Sequence, residues 1–365
     1  MNEQLNNLQQ WLQNNNIDAA YIHQPDDIAY FTGFASDPHE RIMALFVFAD
    51  DTPLLFVPAL EEEGAKTSVP FTVASYLDSE QPFKKIKLAL KQKQAIKTMA
   101  LQKDVFPVER LEAMQTILPD VSFAYNVSPF IAKMKLFKTK EEKQWMMEAG
   151  DWADFAFAKG FEAIAEGVSE QEIVAYLEYE LKKKGVSKMS FDTLVLAGAH
   201  AASPHGAPSA NHFVQPHELV LFDLGCMWKG YASDATRMAS FKEPTDFQKK
   251  IFDIVRTAQQ KAQDAVKPGV TASELDFIAR DYIERQGYGE YFTHRLGHGI
   301  GKQCHEAPSI VAGNDLIIEE GMCFSLEPGI YIPNEVGVRV EDCVYVTKNG
   351  CDAFTKSSKD LHIID

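Results

Sequence analysis

The sequence predicts a two-domain α/β (α+β) protein, on three observations. At 365 residues the chain exceeds what one hydrophobic core normally organises. Residues 18–128 alternate short apolar runs with polar helical patterns, as a small α/β unit does. Near Thr139 a long capped helix opens a second half that contains an internal repeat. The boundary is placed just before that helix, giving an N-terminal domain over 1–130 and a second domain over 131–365.

The chain opens with Leu5, Leu8, Trp11 and Leu12 at helical spacing among Asn and Gln, an amphipathic surface helix. It lacks the basic-then-apolar layout of a signal peptide. Apolar runs at 19–22, 43–48 and 53–57 read as strands. Ala49-Asp50-Asp51-Thr52 reads as a hairpin turn, because Asp hydrogen-bonds its own backbone. A Lys-rich helix is expected over 83–93, and this half clusters no His, Cys and acids. The helix capped at Thr139-Lys140-Glu141-Glu142 carries Trp145, Met146, Ala149, Trp152, Ala153 and Ala156. Its two tryptophans are seven residues apart, a helical stripe that marks them as packing residues rather than ligand-binding aromatics.

Residues 163–186 align without gaps on 265–288, 102 positions later. Gly167 pairs with Gly269, Ser169 with Thr271, Glu172 with Glu274 and Gly185 with Gly287. Each copy is thus a glycine, a capping box, a helix with one apolar face and a glycine at its end. After each copy an apolar strand ends in an acid, 219–223 on Asp223 and 322–327 on Glu327, so the second domain reads as duplicated.

Composition removes several classes of partner. The 36 Lys and Arg face 52 Asp and Glu, a formal charge of −16 that repels a phosphate backbone, so no nucleic-acid partner is expected. The acidic excess itself reads as a solubility feature. No stretch approaches the ~18 consecutive apolar residues of a membrane span, so no membrane partner is expected either. Cys226, Cys304, Cys323, Cys343 and Cys351 are odd in number and form no C-x-x-C pair; they read as reduced thiols of a cytoplasmic protein.

The acids carry the chemistry. Asp223 and Asp234 are equidistant from Trp228-Lys229. A hairpin reversing there sets them opposite each other on one sheet face, and a turn one residue later keeps them on that face. Glu327 and Glu341 repeat the device about Asn334, with Pro333-Asn334 as turn. Four ionised carboxylates on one face repel and raise one another's pKa unless cations lie between them, and two divalent ions balance four charges. A nitrogen ligand is suggested by His298, flanked by glycines that permit a close backbone approach. A lone histidine is more often a satisfied polar residue, but seven of the ten histidines fall between His200 and His305.

These segments are similar to a known family, the pita-bread-fold metallopeptidases that include Xaa-Pro dipeptidase, aminopeptidase P and methionine aminopeptidase. The resemblance lies in FDLGCMWKGYASDATR (222–237), THRLGHGIGKQCHEAP (293–308), SLEPGIYIP (325–333) and GVRVEDCV (337–344). It implies a pita-bread catalytic domain with an internal pseudo-twofold repeat and a mostly antiparallel sheet. It implies Asp223, Asp234, His298, Glu327 and Glu341 as the metal ligands, none of them substituted. His205, in SPHGAP, with His294 and His305, matches positions that bind substrate or stabilise the tetrahedral intermediate. Arg339 matches an arginine of proline-specific members, whose fork of donors holds a substrate carboxylate or orients other groups; a surface salt bridge would look the same. Tyr331 is similar to a tyrosine near the family's site, and an ordinary strand aromatic would also look the same.

PDDIAYFTGF (25–34) resembles the creatinase/prolidase-type N-terminal domain, which methionine aminopeptidase lacks, and turns the expectation toward peptides with proline second. Gln215-Pro216-His217-Glu218 departs from the Gly-Asp turn common before the ligand strand and leaves the ligands intact. Two ions held by four carboxylates and one imidazole would lower the pKa of a bridging water, giving hydroxide as nucleophile near neutral pH. The oxygen-rich set points to Mn²⁺, with Co²⁺ or Zn²⁺ as alternatives. His205 or His305 would stabilise the oxyanion, and Glu327 would shuttle the proton to the leaving nitrogen.

The expected activity is metal-dependent hydrolysis of Xaa-Pro dipeptides. The alternative is an aminopeptidase P that trims longer Xaa-Pro peptides. A metal-free creatinase-like hydrolase or binding module is disfavoured by the intact ligands. The family further implies a homodimer.

Overall fold

The structure, a computed structural model, describes residues 2–365. The chain forms two compact units, Met1–Met134 and Lys135–Asp365. In the first, α1 (Glu3–Asn14) starts where the Asn2 side chain accepts from the Leu5 amide, and it buries Leu5, Leu8 and Leu12. After β1 (Ala19–Ile22), α2 (Pro25–Thr32) has proline at its start and ends at Gly33 in the left-handed region. The hairpin of β2 (Ala44–Phe48) and β3 (Leu54–Pro58) turns through Asp50 and Asp51. Then come α3 (Glu62–Ser68), β4 (Thr72–Tyr76), α4 (Pro82–Leu90), β5 (Met99–Leu101), α5 (Val108–Ile117) and α6 (Ser128–Lys135). The five strands lie in the order β4-β3-β2-β1-β5, parallel at both ends and antiparallel between. Ala20 and Ile22 pack into one apolar cluster and Ala19 and Tyr21 into another, so both faces of the sheet are covered and the inner strands β1, β2 and β3 are apolar throughout.

The second unit begins with α7 (Lys140–Glu162) and α8 (Glu170–Lys183), followed by β6 (Leu194–Ala197), β7 (Glu218–Leu224), β8 (Met227–Trp228), β9 (Tyr231–Ala232) and β10 (Ala235–Phe241). The second copy supplies α9 (Asp246–Ala265), α10 (Ala272–Arg285), β11 (Gly297–Gly299), β12 (Glu306–Ile310), β13 (Cys323–Leu326), β14 (Gly329–Ile332), β15 (Val336–Arg339) and β16 (Glu341–Val346), and β17 (Cys351–Ala353) and β18 (His362–Ile364) finish the chain. The main sheet runs β12-β11-β13-β16-β10-β7-β6 with every neighbour antiparallel. β17 extends from β16, and β18 lies parallel to β10.

The repeat is present in the backbone. Both capping boxes form, Ser169 with Glu172 and Thr271 with Glu274. The four aligned glycines all have positive φ, 76° and 95° at Gly167 and Gly185 against 97° and 86° at Gly269 and Gly287. The Val214 amide donates to Val168 in the first copy, and the Ile318 amide to Val270 in the second. Alternate residues of β7 feed different clusters: Val220, Phe222 and Leu224 join Phe157 and Leu177 of α7 and α8, whereas Leu219 and Leu221 join α9 residues such as Ile251. Asp223 continues the Leu219 and Leu221 side. Trp152 packs on Trp228, ring centroids 5.5 Å apart, and Trp145 on Tyr231 at 5.3 Å.

Candidate metal centre

The second hairpin turns at Asn334 (φ 62°), and one register runs through β14 on β15 and β13 on β16, so Glu327 stands directly across from Glu341. The first hairpin departs from the simplest expectation. It turns on Lys229 and Gly230 (φ 50° and 79°), one residue later than Trp228-Lys229. Asp223 therefore faces Thr236, and Asp234 is its diagonal neighbour on the same face. Thr236 in turn faces Glu341. One rung of the sheet thus carries Asp223, Thr236, Glu341 and Glu327. The adjacent rung carries Asp234, Cys343, Ser325 and His298: Cys343 faces Ser325, whose Oγ accepts from the His298 amide at 3.0 Å.

The loop that delivers His298 is fixed from α10. Asp276 accepts the Leu296 amide at 3.1 Å, and Arg280 donates to the carbonyls of Phe292 and His294 at 2.9 and 2.8 Å. Gly297 and Gly299 let three strands meet around His298: a Cβ on Gly297 would lie 1.9 Å from Ser325 O, and one on Gly299 2.0 Å from Ala307 O. His298 Nε2 ends 3.2 Å from Glu327 Oε1 and 3.6 Å from Asp234 Oδ2. Donor atoms of His298, Glu327 and Glu341 lie within 4.8 Å of one another, as do those of Asp234, Glu341 and Cys343.

Burial sets the charge states. It pushes Asp234 up to about 8, with the Asp223 charge adding to the rise. It raises Asp223 against the pull of Arg339, and it raises Glu341 well above the ordinary range. Burial pushes Glu327 the same way, but the hydrogen bond to His298 and the fields of His298, His294 and Arg339 win and hold it at about 2. Arg339 pairs with Asp223 through Nη2, with Thr236 Oγ1 through Nε at 3.1 Å and with the Tyr331 hydroxyl through Nη1 at 2.8 Å. His294 Nε2 lies 3.0 Å from that hydroxyl. The His305 ring lies 4.2 Å from that of His298, tilted 41° to it, and burial keeps it below the usual imidazole range. His205 sits in an exposed segment.

Comparison with known proteins matches residues 144–348 to metallopeptidase family M24. The chain belongs to this family. A creatinase/prolidase N-terminal domain matches residues 4–137. An Xaa-Pro dipeptidase of Lactobacillus delbrueckii subsp. lactis is 53% identical over 363 residues, covering 99% of this chain and 98% of the relative. Among solved structures, the prolidase from Pyrococcus horikoshii OT3 superposes with TM-score 0.91 at 34% identity, covering 99% of this chain and all of that one. The Xaa-Pro dipeptidase from Bacillus anthracis does so with TM-score 0.92 at 32% identity and 99% coverage of both. The second unit of this M24 chain thus has the pita-bread fold.

The M24 site fits divalent ions on its own geometry. Asp223 Oδ1 and Glu341 Oε1 are buried without a hydrogen-bond partner, an arrangement that is costly unless a cation meets them. Three contributors escape a reading by residue type. Thr236 Oγ1 donates to Glu341 Oε2 at 2.7 Å, Ser325 Oγ donates to Glu327 Oε1 at 2.9 Å, and the buried Cys304 thiol donates to Asp234 Oδ2 at 3.1 Å. Period-2 spacing was the available signal for the first two: Thr236 is two residues from Asp234, and Ser325 two from Glu327.

Proposed function

We propose that this M24 chain hydrolyses Xaa-Pro dipeptides, using two divalent ions held by Asp223, Asp234, His298, Glu327 and Glu341. The observation that carries the reading is the pair of adjacent rungs with their unpartnered Asp223 and Glu341 oxygens. The dipeptidase named among the relatives supplies the substrate class. Bound there, the ions would provide a water deprotonated near neutral pH and polarise the scissile carbonyl.

The chain's own groups do the rest. Glu327, ionised through the neutral range, carries the proton to the imino nitrogen as the bond to proline breaks. His305, beside His298, and His205 donate to the developing oxyanion. Arg339 has three of its nitrogens engaged by Asp223, Thr236 and Tyr331, which favours orientation of the ligand over direct capture of a substrate carboxylate. His294 and Tyr331, joined to each other, line the substrate side. A bond to proline has no N–H, so it suits a site that does not rely on docking the peptide as a strand.

The donor set, oxygen-rich with one imidazole, supports Mn²⁺, with Co²⁺ or Zn²⁺ as substitutes. Five free cysteines support a cytoplasmic setting. The family resemblance supports a homodimer, which light scattering reads directly. The deciding experiment is hydrolysis of Ala-Pro, Leu-Pro and Leu-Pro-Gly after chelation and after Mn²⁺ is restored. Metal-dependent cleavage of the dipeptides alone is expected. Cleavage of the tripeptide would move the activity to aminopeptidase P, and silence with metal bound would remove the substrate class.

A further inference from the structure

Of the histidines between His200 and His305, His200 and His212 lie outside the centre and converge on Glu170. Glu170 is the first residue of α8 and is fully buried. Its Oε1 accepts the Ala197 amide at 2.7 Å and its Oε2 the Ser209 amide at 2.9 Å. Both oxygens lie 2.9 Å from His200 Nδ1. The His212 ring sits 5.0 Å from that of His200 and tilts 31° to it. One donor atom from each of the three residues falls within 4.8 Å of the others, and both imidazoles are half-buried, so an ion reaches them from solvent.

The second copy of the repeat shows what this junction needs. The Glu170 amide donates to His212 O at 3.1 Å, and the Ala272 amide donates to Leu316 O at 3.0 Å in the same place. There the fold closes the junction with Ala and Leu. The scaffold therefore does not require a buried carboxylate and two imidazoles, which carry a desolvation cost that apolar side chains avoid. A carboxylate with two imidazoles, its oxygens oriented by backbone amides, is a common donor set for Zn²⁺, with the remaining position left to water.

We propose that Glu170, His200 and His212 form a further metal site, separate from the dinuclear centre and suited to an imidazole-preferring ion such as Zn²⁺ rather than Mn²⁺. The ion takes the place of the proton shared by His200 Nδ1 and the Glu170 carboxylate. It fastens the 3₁₀ turn Gly198–Ala202 and the loop at His212 to the start of α8, and so restrains the segment between them that carries His205.

Zinc content after dialysis to saturation tests the site. Wild-type protein is expected to hold one zinc ion more per chain than the H200Q/H212Q double variant. The difference carries the test, so it stands whatever the dinuclear centre holds. Equal contents would overturn the proposal. H212Q alone, a change at a half-exposed side chain that leaves Glu170 its other partners, is expected to weaken that ion by at least about tenfold. H217Q, at an exposed histidine outside the trio, is expected to change nothing. The same loss in H217Q would assign the ion to adventitious surface binding and overturn the site.

Discussion

Arg339 and Asp223 form a buried ion pair on the rung that carries the candidate ligands, and the same guanidinium also holds Thr236 and Tyr331. One flat group thereby fixes a candidate ligand carboxylate, the hydroxyl beside Glu341 and the tyrosine next to His294. Lysine keeps the charge and loses the fork. Arg339→Lys is expected to forfeit about 2 kcal/mol of transition-state stabilisation, roughly a 30-fold fall in kcat/KM on Leu-Pro. Unchanged kinetics in the metal-loaded variant would show that the fork is not used.

Chelation is expected to destabilise the second unit, because Asp223, Asp234 and Glu341 share a buried face with nothing else to neutralise them all. Each ion present at a hundredfold excess over its Kd contributes about 2.7 kcal/mol. For two ions on a unit of this size a fall in Tm of about 10–20 °C follows, recovered on adding Mn²⁺. A Tm indifferent to chelator in scanning calorimetry would contradict a buried carboxylate cluster.

How much of this was legible in the sequence varies residue by residue. Asn334 was found as the centre of its hairpin because Pro333-Asn334 is turn chemistry and the glutamates are symmetric about it. The first hairpin was placed one residue early because Lys229 takes a positive φ that lysine seldom adopts. The one-residue shift, which the sequence reading allows, keeps Asp223 and Asp234 on the same face and puts Thr236 between Asp223 and Glu341. A threonine in an apolar strand reads as a β-former, and only the register shows that it faces Glu341. His217, at φ 69°, occupies the left-handed position where a glycine was the expected residue, so the departure at 215–218 changed the residue and kept the turn. By sequence Glu170 is a first-turn acid of α8 like any other, since nothing local reports that the loop at His212 folds over it.

Thr236 links the two halves of the centre, donating to Glu341 Oε2 and accepting from Arg339 Nε. Thr236→Val preserves shape and removes both bonds. Groups that orient metal ligands typically change affinity by about 10–100-fold when removed. The variant is expected to bind Mn²⁺ at least about tenfold more weakly in calorimetric titration while folding normally. An affinity equal to wild type would leave the hydroxyl a packing group only.

The buried carboxyls give the centre's share of the pH dependence a definite sign in the ion-free protein. Burial lifts Asp234 from 3.8 to about 8 and raises Asp223 and Glu341 as well. A carboxyl with a folded pKa above its unfolded one is protonated more readily in the folded state, so stability falls as pH rises through the interval from about 4 to about 8. Glu327 works oppositely, but its stabilisation is lost only as pH falls from 4.5 toward about 2. Burial lowers His23, His294 and His305 and so pulls the other way below about pH 6.5, but His23 lies in the other unit and contributes equally with and without ions, so the gap between loaded and chelated protein reports the centre. Bound ions replace the carboxyl protons. The Tm gap between loaded and chelated protein is therefore expected to widen from about pH 5.5 to about pH 8. A constant gap would mean that the carboxyls keep ordinary pKa values.

Gly297→Ala separates close approach from backbone strain. The added Cβ would meet Ser325 O at 1.9 Å, and that atom belongs to the strand whose side chain accepts the His298 amide and donates to Glu327. Relief requires β11 to move from β13, which carries His298 away from Glu327 and Asp234. Overpacking of this kind costs about 1–3 kcal/mol, and here the displaced group is a candidate ligand. Gly167→Ala is the contrasting change: nothing lies within 4 Å of its Cβ, and the penalty is only that of φ 76°, about 1 kcal/mol. Both variants are expected to lose stability, but only Gly297→Ala should lose bound Mn²⁺ as measured by atomic emission. Full metal content in Gly297→Ala would show that the sheet absorbs the methyl without moving His298.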